Sequence, residues 1–424
     1  MIKNRFSLGL TAAVIAAGMI IGCGCGDSGS GGTTGGTTGS ASTTGSSAST
    51  DNGPKTAASN LIVDGGIPFG LVASENGDLK PWGEDSVKGA TLAIKEFNDA
   101  GGANGKKVSL YIEDSNSLPE QGKSAAEALV SNDKVVCLLG EVSSGITAQI
   151  RDVAKTNNLP LIAIGATRTD LTAGYDGMAR VCYTDKFQGP VMAKFAYDQL
   201  HLRNVAVMTD KSQPYSTGLS NSFKDYFTKL GGKIAGEEFY ESKATQFQGQ
   251  LTNLKALNPD GMFMSGYFNE TGPIARQAAD IGLKVPMLGG DGWDSSDILK
   301  SGGDAILGSY FCNHYNNKED RPEVKDFLKK WADAYGGTPG TTMGALAYDA
   351  AALACDALKR ANSTNPADLI KAIQNTVDFK GVSGTITLKG MHGDPPKRAL
   401  VVKLTPEGQV FAKAYEEAAD GTPK

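Results

Sequence analysis

Residues 81–115 read PWGEDSVKGATLAIKEFNDAGGANGKKVSLYIEDS. Val87, Ala90, Ile94 and Phe97 recur at intervals of three, four and three, which puts them on one face of a helix over 81–100. Gly101-Gly102 stops that helix, and residues 108–113 then read as a strand. Since an apolar run at 67–73 precedes the helix, the whole unit is strand, helix, strand. A helix between two strands is what a right-handed crossover between parallel neighbours requires.

The same alternation continues, with strands near 135–140, 160–165, 204–209, 261–266 and 285–289. Helical patterns fall at about 120–131, 144–157, 187–200, 217–230, 247–257 and 272–281. Alternation of this kind predicts an α/β fold with doubly wound parallel sheets. An internal echo, FNDAGGANGKKVSLY at 97–111 and FTKLGGKIAGEEFY at 227–240, runs from helix end through Gly-Gly into a strand both times and predicts two similar lobes. Two such sheets side by side leave a cleft between their carboxyl edges, where small ligands bind.

The amino terminus has a different composition. Lys3 and Arg5 precede a run from Phe6 to Ile21 that is apolar apart from Ser7 and Thr11. That run has the length of a signal-peptide core and falls short of the roughly 20 apolar residues a membrane span needs. It reads as an export signal over 1–22. Of the 27 residues from Gly24 to Thr50, 23 are Gly, Ser or Thr, too little apolar surface to offset ordering entropy. The segment 23–64 therefore reads as a flexible tether with a reach on the order of 35 Å. Ile20-Ile21-Gly22-Cys23 resembles a bacterial lipobox, which implies lipidation of Cys23 and a chain anchored to the cell envelope.

Several chemistries are excluded. Loss of Lys3 and Arg5 leaves 39 basic against 46 acidic residues, a mature net charge of −7, which argues against nucleic acid as a partner. The three histidines, His201, His314 and His392, have no metal-ligand spacing and read as surface or hinge residues. Gln121-Gly122-Lys123-Ser124 lacks the earlier glycine of a phosphate loop, since Ser117 stands there, and reads as the first turn of a helix. Gly26-Asp27-Ser28-Gly29 resembles a protease nucleophile loop but lies in the tether, where nothing could position a base. With no nucleophile elbow, paired cysteines or metal set, the chain reads as a non-enzyme without a cofactor. Cys137, Cys182, Cys312 and Cys355 permit two disulfides in an exported chain, and buried thiols equally.

The stretch at 81–115, VSSGITAQIRDVAKTNNLPLIAIGATRTDLT at 142–172 and MSGYFNETGPIARQAADIGLKVPMLGGDGWDS at 264–295 resemble the Leu/Ile/Val-binding proteins of ABC importers. The resemblance covers nearly the whole chain after residue 65. It implies a periplasmic binding protein type I fold, two doubly wound lobes joined by a three-segment hinge, with 65–182 and 313–380 in one lobe and 183–312 and 381–424 in the other. It implies a monomer that closes on an α-amino acid, branched-chain or other neutral, and serves a permease and its ATPase.

The residues fit that role physically. Ser143 and Ser144 follow a strand and start a helix, so their hydroxyls and the amides of the first turn suit a carboxylate. Gly165, with no side chain, exposes its backbone to a ligand beside Ala166 and the hydroxyl of Thr167. By resemblance, Ser144 and Thr167 take the carboxylate, while the Gly165 carbonyl and Asp291 take the ammonium. Asp291 replaces a longer glutamate of the family prototype. Trp82, Tyr215 and Tyr267 match aromatic positions around the ligand, Trp82 replacing a tyrosine. Cys182 and Cys312 match two neighbouring crossovers, and the resemblance raises a disulfide between them. Two rivals remain: the ligand is an amide, urea or aromatic acid, or the chain is the sensing component of a signalling system.

Overall fold

The computed structural model describes residues 60–424. The export signal, Cys23 and the tether up to residue 59 lie outside the described residues. From Ile67 the chain forms β1 (Ile67–Ala73), α1 (Lys80–Asp99), β2 (Val108–Asp114), α2 (Pro119–Ser131), β3 (Cys137–Leu139), α3 (Ser144–Thr156), β4 (Leu161–Ala163) and β5 (Met178–Arg180). It continues through α4 (Asp185–Asp198), β6 (Asn204–Asp210), α5 (Pro214–Lys229), β7 (Lys233–Tyr240), α6 (Gln248–Ala256), β8 (Gly261–Met264), α7 (Phe268–Asp280) and β9 (Met287–Gly289). There follow α8 (Asp297–Gly302), β10 (Tyr310–Asn313), α9 (Pro322–Tyr335), α10 (Met343–Ala361), α11 (Pro366–Gln374), β11 (Phe379–Gly381), β12 (Gly384–Ile386), β13 (Arg398–Thr405) and β14 (Gly408–Glu416).

The first five strands form one wholly parallel sheet in the order β2-β1-β3-β4-β5. A second sheet runs β14-β13-β10-β9-β8-β6-β7, and β11 pairs with β12 alone. The second sheet departs from the parallel expectation at one edge, where β10, β13 and β14 pair antiparallel. Only Pro406 and Glu407 join β13 to β14, and two residues can turn a hairpin but cannot carry a crossover. The tether also ends earlier than residue 64, because Leu61 forms a bridge to Leu110 and Asn60 Oδ1 accepts the Ile112 amide. These residues cover the otherwise open edge of β2.

Helix α1 forms as its spacing dictates: Val87, Ala90 and Ile94 are fully buried, and Phe97 is half-buried at the margin. Burial of each of the larger side chains contributes about 1.5–3 kcal/mol. Gly101 and Gly102 follow at φ of +96° and +66°, the left-handed region that glycine enters without strain. Although α10 lies far along the chain, it packs against α1 at glycines. A Cβ on Gly89 would sit 2.0 Å from the Gly344 carbonyl oxygen, so the two backbones touch there.

The chain leaves the first sheet after β5 and enters the second at α4; it leaves the second after β10 and rejoins it at β13. Hydrogen bonds join the two halves across the cleft. Trp82 Nε1 donates to the Asp294 carbonyl at 2.7 Å, and Asn269 Nδ2 donates to the Asp78 carbonyl at 2.8 Å. At the start of α10, the Thr342 amide donates to Asp294 Oδ2 at 2.6 Å and the Thr341 amide to Asp85 Oδ2 at 2.7 Å. One carboxylate from each half thus meets the positive end of the same helix dipole. Burial pushes Asp85 up to about 6, against the pull of its Thr341 bonds.

The Cys182–Cys312 disulfide is not formed: both are buried free thiols, as are Cys137 and Cys355. Cys182 Sγ donates to the Ala166 carbonyl at 3.4 Å, which turns that thiol to a backbone acceptor. Burial raises the Cys182 thiol to about 12 and Cys312 further, and neither has thiolate character.

Candidate functional site

Strand ends of both sheets converge on one small, nearly closed cavity. Trp82 comes from the first turn of α1, Ser144 from the start of α3, and Gly165 and Thr167 from the loop after β4. Facing them are Tyr215 in the first turn of α5, Tyr267 before α7 and Asp291 after β9. Seven of the nine expected ligand residues therefore line a single cavity. Ser143 and Ala166 stand behind it, since neither contributes to its wall.

The carboxylate side of the site differs in detail from the expectation. The Ser143 amide is not free: it donates to Glu141 Oε2 at 2.8 Å, and the Ser143 hydroxyl lies 3.4 Å from the Tyr267 hydroxyl across the cleft. Ser144 Oγ accepts the Arg168 amide at 3.2 Å and keeps its own hydrogen to donate. Glu141 is fully buried, and its carboxyl is raised by desolvation against hydrogen bonds from Ser74 and Ser143. Thr167 Oγ1 stands 3.3 Å from Gln188 Nε2. Among the described residues no donor reaches the Gly165 carbonyl. The position is crowded, since a Cβ there would lie 2.9 Å from Met343 Sδ and 3.1 Å from Val142 Cγ1 and would press on the cavity wall.

Opposite stands Asp291, only 4% exposed. Oδ1 accepts from the Tyr215 hydroxyl at 2.9 Å and Gln188 Nε2 at 3.0 Å, and Oδ2 lies 3.1 Å from His314 Nε2. Gln188 also takes the Asp291 amide on Oε1 at 3.2 Å and reaches Asp185 Oδ1 at 2.7 Å. Its two amide hydrogens go to the two carboxylates, which leaves the Thr167 hydroxyl free to donate. Desolvation, and next the Asp291 charge, raise the fully buried Asp185 to about 7. Burial also holds the Tyr215 and Tyr267 hydroxyls well above the usual phenol range, so both remain donors.

The aromatic wall is interlocked. Tyr215 and Tyr267 stack at 5.1 Å with planes 18° apart, and Trp82 meets the edge of Tyr267 at 5.2 Å and 88°. A site with hydroxyl donors and a bare carbonyl on one side, a fixed carboxylate on the other and flat apolar rings between can hold a small zwitterion with an apolar side chain.

Sequence reasoning missed Gln188, Asp185, Val142, Met343, Gly292 and the contribution of His314. The run TDKFQGP at 184–190 carried one usable sign, an acidic residue and an amide in the first turn of a helix just after a crossover. A roomier hollow elsewhere, lined by Arg321, Lys380, Lys397 and Arg398, offers no free charge pair. Arg321 and Arg398 share Glu319, and Lys397 bonds Ser383, which in turn bonds Asp349. Among the described residues no cluster of side chains could hold a metal ion, and no helix is long and apolar enough to cross a membrane.

Residues 66–409 match the profile of a family described as periplasmic binding protein. The chain is 32% identical over 368 residues to Leu/Ile/Val-binding protein homolog 1 of Brucella suis biovar 1, covering 86% of this chain and 93% of that protein. Among solved structures, a leucine binding protein, LivK, from Thermotoga maritima superposes with a TM-score of 0.78 at 32% identity, covering 82% of this chain and 98% of that one. LivJ from Streptococcus pneumoniae, a branched-chain amino acid transporter substrate binding protein in complex with isoleucine, gives 0.76 at 29% identity over 82% and 98%. An ABC transporter solute binding protein from R. palustris in complex with benzoate gives 0.73, but at 21% identity it speaks to the fold alone.

Proposed function

Because this chain belongs to the periplasmic binding protein family, we propose that it is the extracytoplasmic solute-binding component of an ABC importer and captures a neutral α-amino acid, branched-chain or similar, between its lobes. It performs no catalysis; the work is recognition and hinge closure, and the loaded protein is handed to a permease driven by an ATPase. Export by residues 1–22 and a lipid on Cys23 would anchor it to the membrane.

One observation carries the reading: within a single cavity, Asp291 held by three donors faces the undonated Gly165 carbonyl and the hydroxyls of Ser144 and Thr167. The ammonium goes to Asp291 and Gly165, and the carboxylate to Ser144, Thr167 and the first turn of α3. A ligand lacking either charge leaves a buried group unpaired, and this is the source of selectivity.

The test is Asp291→Ala. Loss of a charge-assisted bond of about 1.5–3 kcal/mol should weaken amino-acid binding roughly 10- to 150-fold in a calorimetric titration. Primary amides and aromatic acids serve as comparison ligands. A variant that binds amino acids as tightly as wild type, or a wild type that takes only the comparison ligands, refutes the assignment of Asp291.

A further inference from the structure

Asp291 receives its third hydrogen bond from a residue that does not line the cavity. His314 opens the second passage between the sheets, directly after β10, and is 3% exposed. Its ring lies flat on Tyr183, with centroids 4.1 Å apart and planes 19° from parallel. Tyr183 belongs to the first passage, between β5 and α4, so the two connecting segments are stacked ring on ring. The His314 Nε2 edge points to Asp291 Oδ2 at 3.1 Å.

Packing does not explain the imidazole. A carboxylate only accepts, so the hydrogen between them sits on Nε2. The other nitrogen, Nδ1, is buried and has no partner. A phenyl ring would fill the same space and stack on Tyr183 without leaving a polar atom unpaired in a dry site. What histidine supplies and phenylalanine cannot is the Nε2–H aimed at Asp291. Aspartate is also a short side chain, and a short acid reaches a ligand only if its oxygens are turned toward it. Tyr215 and Gln188 hold Oδ1 alone, which leaves Oδ2 to His314.

We propose that His314 is a positioning residue, whose Nε2–H fixes the Asp291 carboxylate for a ligand ammonium and whose stack on Tyr183 ties that orientation to the hinge. This rests on the amino-acid reading given above. The ligand never touches His314, so the effect is felt only through the ammonium. It follows that His314 sets the preference for an amino acid over the same molecule without its amino group, and leaves the carboxylate half of the site unaltered.

The experiment compares His314→Phe, His314→Gln and His314→Asn with wild type in the full chain, by calorimetric titration with three ligand pairs: alanine and propionate, leucine and isocaproate, phenylalanine and phenylpropionate. Gln carries its amide nitrogen near the position of Nε2, whereas Asn carries it near Nδ1. For whichever amino acid wild type binds, His314→Phe should lower affinity about 10- to 100-fold while the des-amino partner changes less than about threefold. His314→Gln should restore most of the amino-acid preference, and His314→Asn should not. Equal losses for both members of a pair, or rescue by Asn as good as by Gln, overturn the inference and leave the amino-acid reading standing. If wild type binds no member of the amino-acid set more tightly than its des-amino partner, both fall. Should His314→Phe fail to fold, the contrast between Gln and Asn decides the matter alone.

Discussion

Asp185 offers a test of the charge arrangement that requires no ligand. It sits in the first turn of α4, fully buried, with one oxygen on Gln188 and the other unpartnered. Desolvation first, and the neighbouring Asp291 second, raise its carboxyl from 3.8 to about 7. A folded value above the unfolded one means that stability from the neutral acid is fully present below about pH 4 and is lost as pH rises through about 7. Over that window the loss approaches 1.36 kcal/mol per pH unit, about 4 kcal/mol in total, and it levels off once both states are ionised. Asp185→Asn keeps the shape and the bond to Gln188 but cannot ionise. Urea unfolding of both proteins from pH 4.5 to 8.5 should therefore show the variant gaining on wild type steadily up to about pH 7, then holding its lead. Asp85 and Glu270, also raised by burial, to about 6 and about 7, add slopes common to both proteins that cancel in the difference. A gap that is the same at pH 5 and pH 8 would falsify the argument, since Asp185 would then be ionised in the fold throughout.

Two further outcomes concern the scaffold. Trp82→Phe retains the aromatic packing but removes the Nε1 bond to the Asp294 carbonyl, a bond present only while the halves meet. At about 0.5–1.5 kcal/mol, affinity for every ligand should fall roughly two- to tenfold in the same titration, and unchanged affinity would mean the bond does not favour closure. Gly89→Ala drives a methyl to within 2.0 Å of the Gly344 carbonyl, a backbone atom that cannot swing aside. Parting of α1 from α10 should cost about 1–3 kcal/mol in denaturant unfolding, and a variant as stable as wild type would show the contact to be looser than described.

Much of the first lobe could be read from its letters because its signals are local. The spacing of Val87, Ala90 and Ile94 and the paired glycines at 101–102 act within one element, and the structure keeps both. Trp82, Thr167 and Asp291 could be singled out through the resemblance to the Leu/Ile/Val-binding proteins, and Ser144 also through its place between a strand and a helix; the structure brings all four to one cavity. Gln188, Asp185 and His314 were not legible, because their roles depend on partners on other segments, from Thr167 to Asp291 103 residues beyond Gln188. The antiparallel edge was also missed; a two-residue link is decisive only once β13 and β14 are known to be strands. The disulfide failed although the two cysteines sit on neighbouring crossovers, because both stay free thiols and Cys182 Sγ is turned to the Ala166 carbonyl.

The bonds that span the cleft without involving any site residue's ligand-facing atoms, Trp82 to Asp294, Asn269 to Asp78 and Thr342 to Asp294, weigh the joined arrangement against the parted one before anything is bound. Apparent affinity scales with the fraction of molecules in the competent arrangement, and that fraction multiplies every ligand's constant alike. Sensitivity and discrimination are therefore written in different atoms, even where, as in Trp82, one residue carries both. Changes at the rim or at the start of α10 can retune the ligand concentration at which the protein fills, while the order in which it ranks its ligands stays fixed.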